Sequence, residues 1–183
     1  MTARQKGIAV LAIQLALVLS IGVKYAWERH HCPMVWTRSQ QYDPDQPLRG
    51  RYLALTLHAS ACGLPGGARA YDFRHPGRSP QQAEMKVWRV VPAVTNGVLT
   101  ARGVDETMPG PTETLMLDQN LPCEYARFGE TSDFFIPEHA RSPFPLQKNQ
   151  ELWALVTVPP SGPVRPVKLA ISDAQGFHVL NLD

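Results

Sequence analysis

The sequence predicts a mainly β protein, in which a single antiparallel β domain, barrel- or sandwich-like, follows one N-terminal transmembrane helix. An uncharged apolar run fills residues 7–23, and apolar residues alternate at period two in several later segments. The 17 prolines and 13 glycines are scattered along 183 residues, which favours many turns and short strands. We expect an anchor over 1–27, a juxtamembrane linker and first strand over 28–47, and a β-rich extracytoplasmic domain over 48–183.

The apolar run at 7–23 is predicted to be the membrane anchor. As a helix it would span about 26 Å, which is at the short end for a hydrocarbon core. Arg4 and Lys6 precede the run, and Tyr25 and Trp27 follow it where interfacial aromatic residues belong. We therefore expect the N-terminus in the cytoplasm, the helix in the inner (cytoplasmic) membrane, and the domain in the periplasm or extracytoplasmic space.

Two other interpretations of this run remain open. Ser20-Ile21-Gly22 is a small-x-small site behind an apolar stretch, as in a cleaved secretory signal. A buried core helix is the third interpretation, although the run is apolar on all faces and lies beside a basic flank at the terminus.

The clearest single strand is predicted at residues 52–58. Leu53, Leu55 and Leu57 alternate there with smaller or polar residues, so the three leucines should share one buried face.

Residues 84–94 and 98–104 are predicted to pair as a hairpin. Asn96 and Gly97 separate the two runs, and both residue types accept positive φ at low cost.

The C-terminal part is predicted to be an antiparallel meander of 152–158, 167–171 and 177–182. Three residues of the middle run should face inward: Val167, Leu169 and Ile171. Shorter strand-like runs occur at 113–117 and 134–136.

Two segments rich in glycine and proline, 63–80 and 105–112, are predicted to be exposed loops. Loops on a rigid β scaffold commonly carry recognition, so we expect them, with the anchor helix, to be contact elements.

The charge distribution argues against nucleic acid as a partner. Arg4, Lys6 and Lys24 account for three of the 18 basic residues, which leaves 15 basic against 16 acidic residues in the rest of the chain. A nearly neutral domain without a basic stripe is not typical of a nucleic-acid binder.

The three cysteines, Cys32, Cys62 and Cys123, would lie in an oxidising compartment, where two can pair. We favour Cys62 with Cys123, because Cys32 lies close to the anchor. The sequence does not fix the connectivity, and three reduced thiols are the alternative.

One segment carries a family resemblance. Asp43-Pro44-Asp45 precedes Leu48-Arg49-Gly50-Arg51-Tyr52-Leu53-Ala54-Leu55-Thr56-Leu57, and this order resembles the signature of bacterial GDYXXLXY-domain proteins. Gly50, Tyr52 and Leu55 match that signature, whereas Arg51 and Leu57 stand where the family has an acidic residue and a tyrosine.

Two later segments extend the resemblance. Phe135-Ile136-Pro137-Glu138 is similar to the second recurrent segment of the family, and the stretch around 173–176 is similar to its C-terminal hairpin. The resemblance implies a chain anchored in the lipid bilayer by one helix and associated with an integral membrane protein, but it implies no activity.

Gly50 and Tyr52 are first interpreted as structural residues. A glycine before a strand supplies unusual φ or a close backbone approach, and a tyrosine there can bury its ring. The alternative is that residues 49–52 form a contact surface.

Candidate catalytic and metal sites are weak. Asp133 and Glu138 flank a predicted strand, where carboxylates are usually solvated rather than an acid–base pair. His30-His31-Cys32 has no second ligand pair at zinc-site spacing, so we predict no metal and no cofactor.

We therefore expect a non-catalytic binding or assembly module beside an integral membrane partner. The alternative is a cell-envelope hydrolase whose nucleophile and base stand in no diagnostic motif.

Overall fold

The computed structural model describes residues 2–41, 52–66, 68–71, 84–104, 111–137 and 145–182. The chain divides into two compact units, Met1–Cys32 and Pro33–Asp183. The first unit is an apolar helix and the second is an antiparallel β domain, so the predicted fold class is confirmed.

Helix α1 (Ala3–His31) has 29 residues and is about 43 Å long at 1.5 Å per residue. A capping box between Thr2 and Gln5 begins it. In the part of the chain that the structure describes, this is the one helix long and apolar enough to cross a membrane. A single-pass membrane protein fits this finding.

The helix continues beyond the apolar run because residues 24–31 support it locally. Lys24 Nζ lies 3.8 Å from Glu28 Oε1 one turn later. The His31 ring stacks on Trp27 at 4.9 Å between centroids, and its Nδ1 lies 2.9 Å from the Trp27 carbonyl oxygen.

The described part of the second unit contains eleven strands and one 3₁₀ turn, Cys123–Tyr125. The strands are β1 (Met34–Gln41), β2 (Tyr52–Ala59), β3 (Ala68–Tyr71), β4 (Glu84–Thr95), β5 (Val98–Gly103), β6 (Glu113–Asp118), β7 (Ala126–Phe128), β8 (Ser132–Phe135), β9 (Glu151–Thr157), β10 (Arg165–Asp173) and β11 (Gly176–Val179).

The strands are hydrogen-bonded in the order β11-β10-β9-β1-β2-β7-β6-β4-β3, and β5 pairs with β4 while β8 pairs with β2. The Ser60–Thr100 bridge joins the end of β2 to β5, and Ser60 N–H donates to the Leu99 carbonyl oxygen at 2.9 Å. Strands β2, β7, β6, β4 and β5 therefore form a barrel-like ring that closes through this bridge.

Strand β2 confirms the leucine alternation. Leu53, Leu55 and Leu57 are buried on one face, and Leu55 is paired with β1 on one side and β8 on the other. Strands β8 and β7 follow one another along the same edge of β2. This central position explains why β2 supplies so much of the core.

The β4–β5 hairpin is also confirmed. Asn96 and Gly97 have φ values of 52° and 75°, as a tight hairpin turn requires. Strand β4 is 12 residues long, so β3 and β5 pair successively along one edge while β6 pairs along the other.

The C-terminal meander is confirmed as β9, β10 and β11. Leu169 is fully buried and Ile171 packs against the core. Val167 is only half-buried, because the register of β10 against β9 shifts between Pro166 and Lys168.

The core unites residues from most of these strands. Its fully buried members include Leu55, Leu57, Val90, Leu99, Leu115, Val156 and Leu169. Side chains of the ring strands and of the β1–β9–β10 sheet thus share one cluster, as expected for a single domain.

One loop prediction was wrong in part. Residues 63–80 were expected to contain no strand, yet β3 (Ala68–Tyr71) lies within them and pairs with β4 through the backbone. Backbone pairing at a sheet edge does not require apolar alternation, so the sequence carried little signal. The second predicted loop, 105–112, lies mostly outside the described residues.

Candidate functional site

The described motif residues of the family resemblance differ in their surroundings. Leu55 is fully buried in the core, and Pro137 is half-buried at the end of a described segment. Gly50 and Glu138 lie outside the described residues. Asp133, which was expected to be a solvated carboxylate at the end of a strand, is exposed.

Tyr52 is exposed, so the ring burial that accompanied its structural interpretation is not found. It lies on the face of β2 opposite Leu53 and Leu55, and 48% of it is exposed. Its ring meets the Phe135 ring edge-on at 5.5 Å between centroids, and Phe135 is 58% exposed. The two residues are also direct cross-strand partners between β2 and β8. The structure therefore places an exposed aromatic pair where a buried tyrosine was expected.

A second aromatic surface lies on the outer face of β1, β9 and β11. The Phe177 ring meets the Trp36 ring at 5.0 Å and the Trp153 ring at 6.0 Å, edge-on in both contacts. Phe177 remains 46% exposed, while the two indoles are half-buried.

Arg38 joins this surface to the 3₁₀ turn. Its guanidinium carbon lies 4.8 Å from the Tyr125 ring centroid and 5.6 Å from the Trp153 ring centroid. Its Nε lies 3.2 Å from Glu151 Oε2. The cation is therefore already held by two rings and a carboxylate.

His58 is the most buried imidazole among the described residues, with 7% exposure. Its Nδ1 lies 3.3 Å from the Tyr125 carbonyl oxygen. Burial lowers the pKa of His58, and the positive charges of Arg127 and Arg38 lower it further, although the contact with Tyr125 opposes them. The ring is thus favoured in its neutral form.

Arg127, on strand β7, lies beside His58, so Arg38, His58 and Arg127 form one group of basic side chains. It is the cross-strand partner of His58, and its Nη1 lies 3.3 Å from Asp118 Oδ2. Arg38 and Arg127 therefore both have carboxylate partners, and the His58 ring contacts a backbone carbonyl. These contacts favour a structural role for His58 over the role of a general base that activates a nucleophile.

Cys62 and Cys123 form a disulfide that spans 61 residues of sequence. Next to it, Ala61 N–H donates to the Cys123 carbonyl oxygen at 2.9 Å. The bond fixes the 3₁₀ turn, and with it Tyr125, to the chain that leaves β2. Cys32 is a free cysteine.

The sulfur atoms of this disulfide and a Glu124 carboxylate oxygen form a group within 4.8 Å of one another. In the oxidised chain both sulfurs are used in the S–S bond and offer no thiolate to a metal. The group is therefore no metal centre while the disulfide is intact. That His30-His31-Cys32 binds no metal stays a prediction.

An open cleft of about 990 Å³ lies between residues 62–66 and the β4–β5 hairpin. Trp88 lines it and donates from Nε1 to the Pro65 carbonyl oxygen at 2.6 Å, which ties one wall to the other. Arg89 and Arg102 also line the cleft, and both are exposed.

Sequence reasoning missed this cleft and the aromatic surfaces. Residues 62–66 were recognisable as part of a loop, but their position against β5 depends on the Ser60–Thr100 bridge. The exposure of Tyr52 was readable in principle, because Tyr52 is out of phase with the alternating leucines.

Comparison of the chain with protein-family models, with curated proteins and with solved structures finds no match.

Proposed function

We propose that the chain is a membrane-anchored, extracytoplasmic binding or assembly module that acts beside an integral membrane partner and catalyses no reaction itself. The exposed edge-to-face pair of Tyr52 and Phe135 is the observation that carries this proposal.

The pair has the properties of a contact anchor. Aromatic rings contribute large apolar areas at protein interfaces, and tyrosine and tryptophan are enriched among the residues that dominate binding energy. Tyr52 and Phe135 lie on paired strands, so little conformational freedom would be lost when a partner covers them.

The family resemblance supports the same surface. Tyr52 is a residue that matches the GDYXXLXY signature, and members of that family accompany other membrane proteins. The proposed surface role of Tyr52 corresponds to the alternative that the sequence left open, a contact surface at residues 49–52.

The anchor supports the proposed location. Arg4 and Lys6 precede α1, and a basic flank favours a cytoplasmic N-terminus. We place α1 in the inner membrane and the β domain on the periplasmic or extracytoplasmic side. An Ala174→Cys variant in a Cys32→Ser background should react with a membrane-impermeant maleimide in intact cells. Labelling only after the cells are lysed would contradict this topology.

Site-specific photocrosslinking tests the partner. A benzophenone side chain at Phe135 should capture a multi-span membrane protein in native membranes, and Tyr52→Ala should weaken that capture. The same probe at Val98, which is 52% exposed on the β4–β5 hairpin, is the matched control. Equal capture from both positions, or none from Phe135, would refute the proposed contact surface.

A hydrolase would behave differently in the same preparation. If the purified chain turned over ester or peptide substrates, and a single Ser or Cys substitution abolished the turnover, the binding module would have to be abandoned for an enzyme.

A further inference from the structure

The aromatic surface around Trp36 belongs to a larger apolar side of the sheet. Direct cross-strand partners project their side chains to the same side, so the register of β1, β9, β10 and β11 identifies the residues that share a side with Trp36. This side is called the outer face. Its large apolar residues are Met34, Trp36, Trp153, Leu155, Phe177 and Val179.

Three of these side chains stand in solvent. Met34, Phe177 and Val179 are 48%, 46% and 54% exposed, whereas the two indoles and Leu155 are half-buried beneath them. Phe177 contacts both indoles, so the exposed residues and the half-buried ones form one continuous surface. Adjoining exposed apolar residues usually mark a surface that meets a partner or a membrane.

The charged residues of the outer face are mostly basic. Arg38 lies on β1, and Arg165 and the exposed Lys168 lie on β10. Among the described residues of this face, Glu151 is the one carboxylate, and it lies 3.2 Å from Arg38 Nε. The excess of positive charge suits a surface that carries phosphate groups.

The chain itself holds Met34 near a membrane that contains α1. Only Cys32 and Pro33 separate Met34 from the end of α1. With Trp27 at the membrane–water interface, the last residues of α1 and this link allow no more than about 17 Å between Trp27 and Met34. Such a short tether gives a high effective concentration, so a weak intrinsic affinity for lipid suffices.

The composition of the outer face also suits the headgroup region of a bilayer. Tryptophan and phenylalanine rings bury apolar area there, while neighbouring lysine and arginine side chains reach the phosphate groups. A protein partner would have to be recruited to this face, whereas the bilayer is already present at the anchor. These observations favour lipid as the occupant.

We propose that the outer face of the β domain rests on the headgroup region of the bilayer that holds α1, with Met34, Phe177 and Val179 inserted among the lipids. The proposal rests on the membrane anchoring of α1, which is part of the proposed function, but it does not involve the partner surface at Tyr52 and Phe135.

Fluorescence quenching in vesicles tests this contact. The purified full chain is reconstituted into vesicles of phosphatidylcholine and phosphatidylglycerol in which some headgroups carry a nitroxide. A bimane label is attached to Val179→Cys in a Cys32→Ser background. His178→Cys in the same background is the matched control, because His178 is also exposed and successive residues of a strand point to opposite sides. The label at position 179 should lose more of its fluorescence to the nitroxide than the label at position 178.

A charge among the inserted side chains should weaken the contact. Met34→Asp in the labelled Val179→Cys chain should lower the ratio of adsorbed to free domain about fivefold, since an apolar side chain leaves the lipids. Val98→Asp makes a similar change at a 52% exposed position of the β4–β5 hairpin and should leave the quenching unchanged. Circular dichroism checks that both variants are folded, and the comparison of positions 178 and 179 needs neither variant.

Equal quenching at positions 178 and 179, in a chain that resists extraction from the vesicles by carbonate, would overturn the outer-face contact alone. A chain that carbonate removes would contradict the anchor, and with it both this proposal and the proposed location. Shielding of position 179 only at high protein-to-lipid ratios would assign the face to a second copy of the chain. Shielding only in native membranes would assign it to a protein partner. Either result would overturn the lipid contact.

Discussion

Glu113 Oε1 accepts a hydrogen bond from the backbone N–H of Val164 at 3.2 Å, although 51 residues separate them in sequence. Ser132 Oγ donates to the carbonyl oxygen of the same residue at 3.3 Å. Side chains of β6 and β8 therefore satisfy both backbone groups of the buried Val164, in the connection from β9 to β10. The connection is fixed to the domain by polar contacts as well as by packing.

Glu113→Gln should make the free energy of unfolding less dependent on pH. Burial raises the pKa of Glu113 above its ordinary value near 4.5, and the nearby Glu130 raises it further, against the opposing hydrogen bond from Val164. The folded state then holds the proton more tightly than the unfolded state. The contribution of Glu113 to stability is therefore fully present below about pH 4.5 and is lost as the pH rises through the folded pKa.

Urea unfolding across this pH range measures the effect, with Glu113→Leu as the comparison. Glutamine keeps an oxygen that can accept from Val164, whereas leucine leaves that N–H unsatisfied. The leucine variant should be less stable than the glutamine variant by about 1–3 kcal/mol at neutral pH. An unchanged pH slope in Glu113→Gln would contradict the role of the carboxyl group.

His58→Gln should remove a loss of stability that the parent chain suffers on acidification. The pKa of His58 is lowered from 6.5 by burial and by Arg127 and Arg38. Stability from the neutral ring is therefore present above about pH 6.5 and is lost as the pH falls toward the folded pKa. Denaturant unfolding at pH 7.5 and pH 5.5 (about one unit on either side) compares the two proteins. His178→Gln, at an exposed position of β11, should retain the loss, and a parent chain equally stable at both values would refute the prediction.

Removal of the Cys62–Cys123 disulfide should destabilise the domain. For a loop of 61 residues, the chain-entropy model gives about 4 kcal/mol. The double variant Cys62→Ser/Cys123→Ser should show this decrease in guanidinium unfolding, and so should the reduced parent chain. Cys32→Ser is the matched control, since Cys32 is free. A decrease as large in the control would exclude the disulfide as the cause.

The unit Pro33–Asp183 should fold without the helix. Its core cluster consists of residues from the unit itself, so removal of residues 1–32 should leave a soluble protein with a β-dominated circular dichroism spectrum. A strongly helical spectrum, or an unfolded one, would contradict the division into two units.

The predictable parts of this fold are the local ones. The alternation of Leu53, Leu55 and Leu57 needs no information from elsewhere in the chain, and neither does the Asn96-Gly97 turn. The apolar helix is equally evident. These three features were enough to predict a β domain behind one helix.

The missed features depend on contacts between distant segments. Strand β3 pairs by its backbone, which side-chain patterns do not reveal, and β7 is only three residues long. The cleft exists because residues 62–66 leave the edge of β5 after Ser60. The exposure of Tyr52 follows from its phase in β2, where it lies one residue out of step with the alternating leucines.

The position of β1 has a mechanical consequence. This strand follows α1 after only two residues, Cys32 and Pro33, and it is paired along both edges, with β9 and with β2. A pull applied through the helix therefore enters the middle of the sheet. Strand β9 pairs with β1 over residues 34–39 and β2 pairs with it over residues 39–41, so separating the tethered strand from the domain requires breaking its hydrogen bonds to two neighbouring strands.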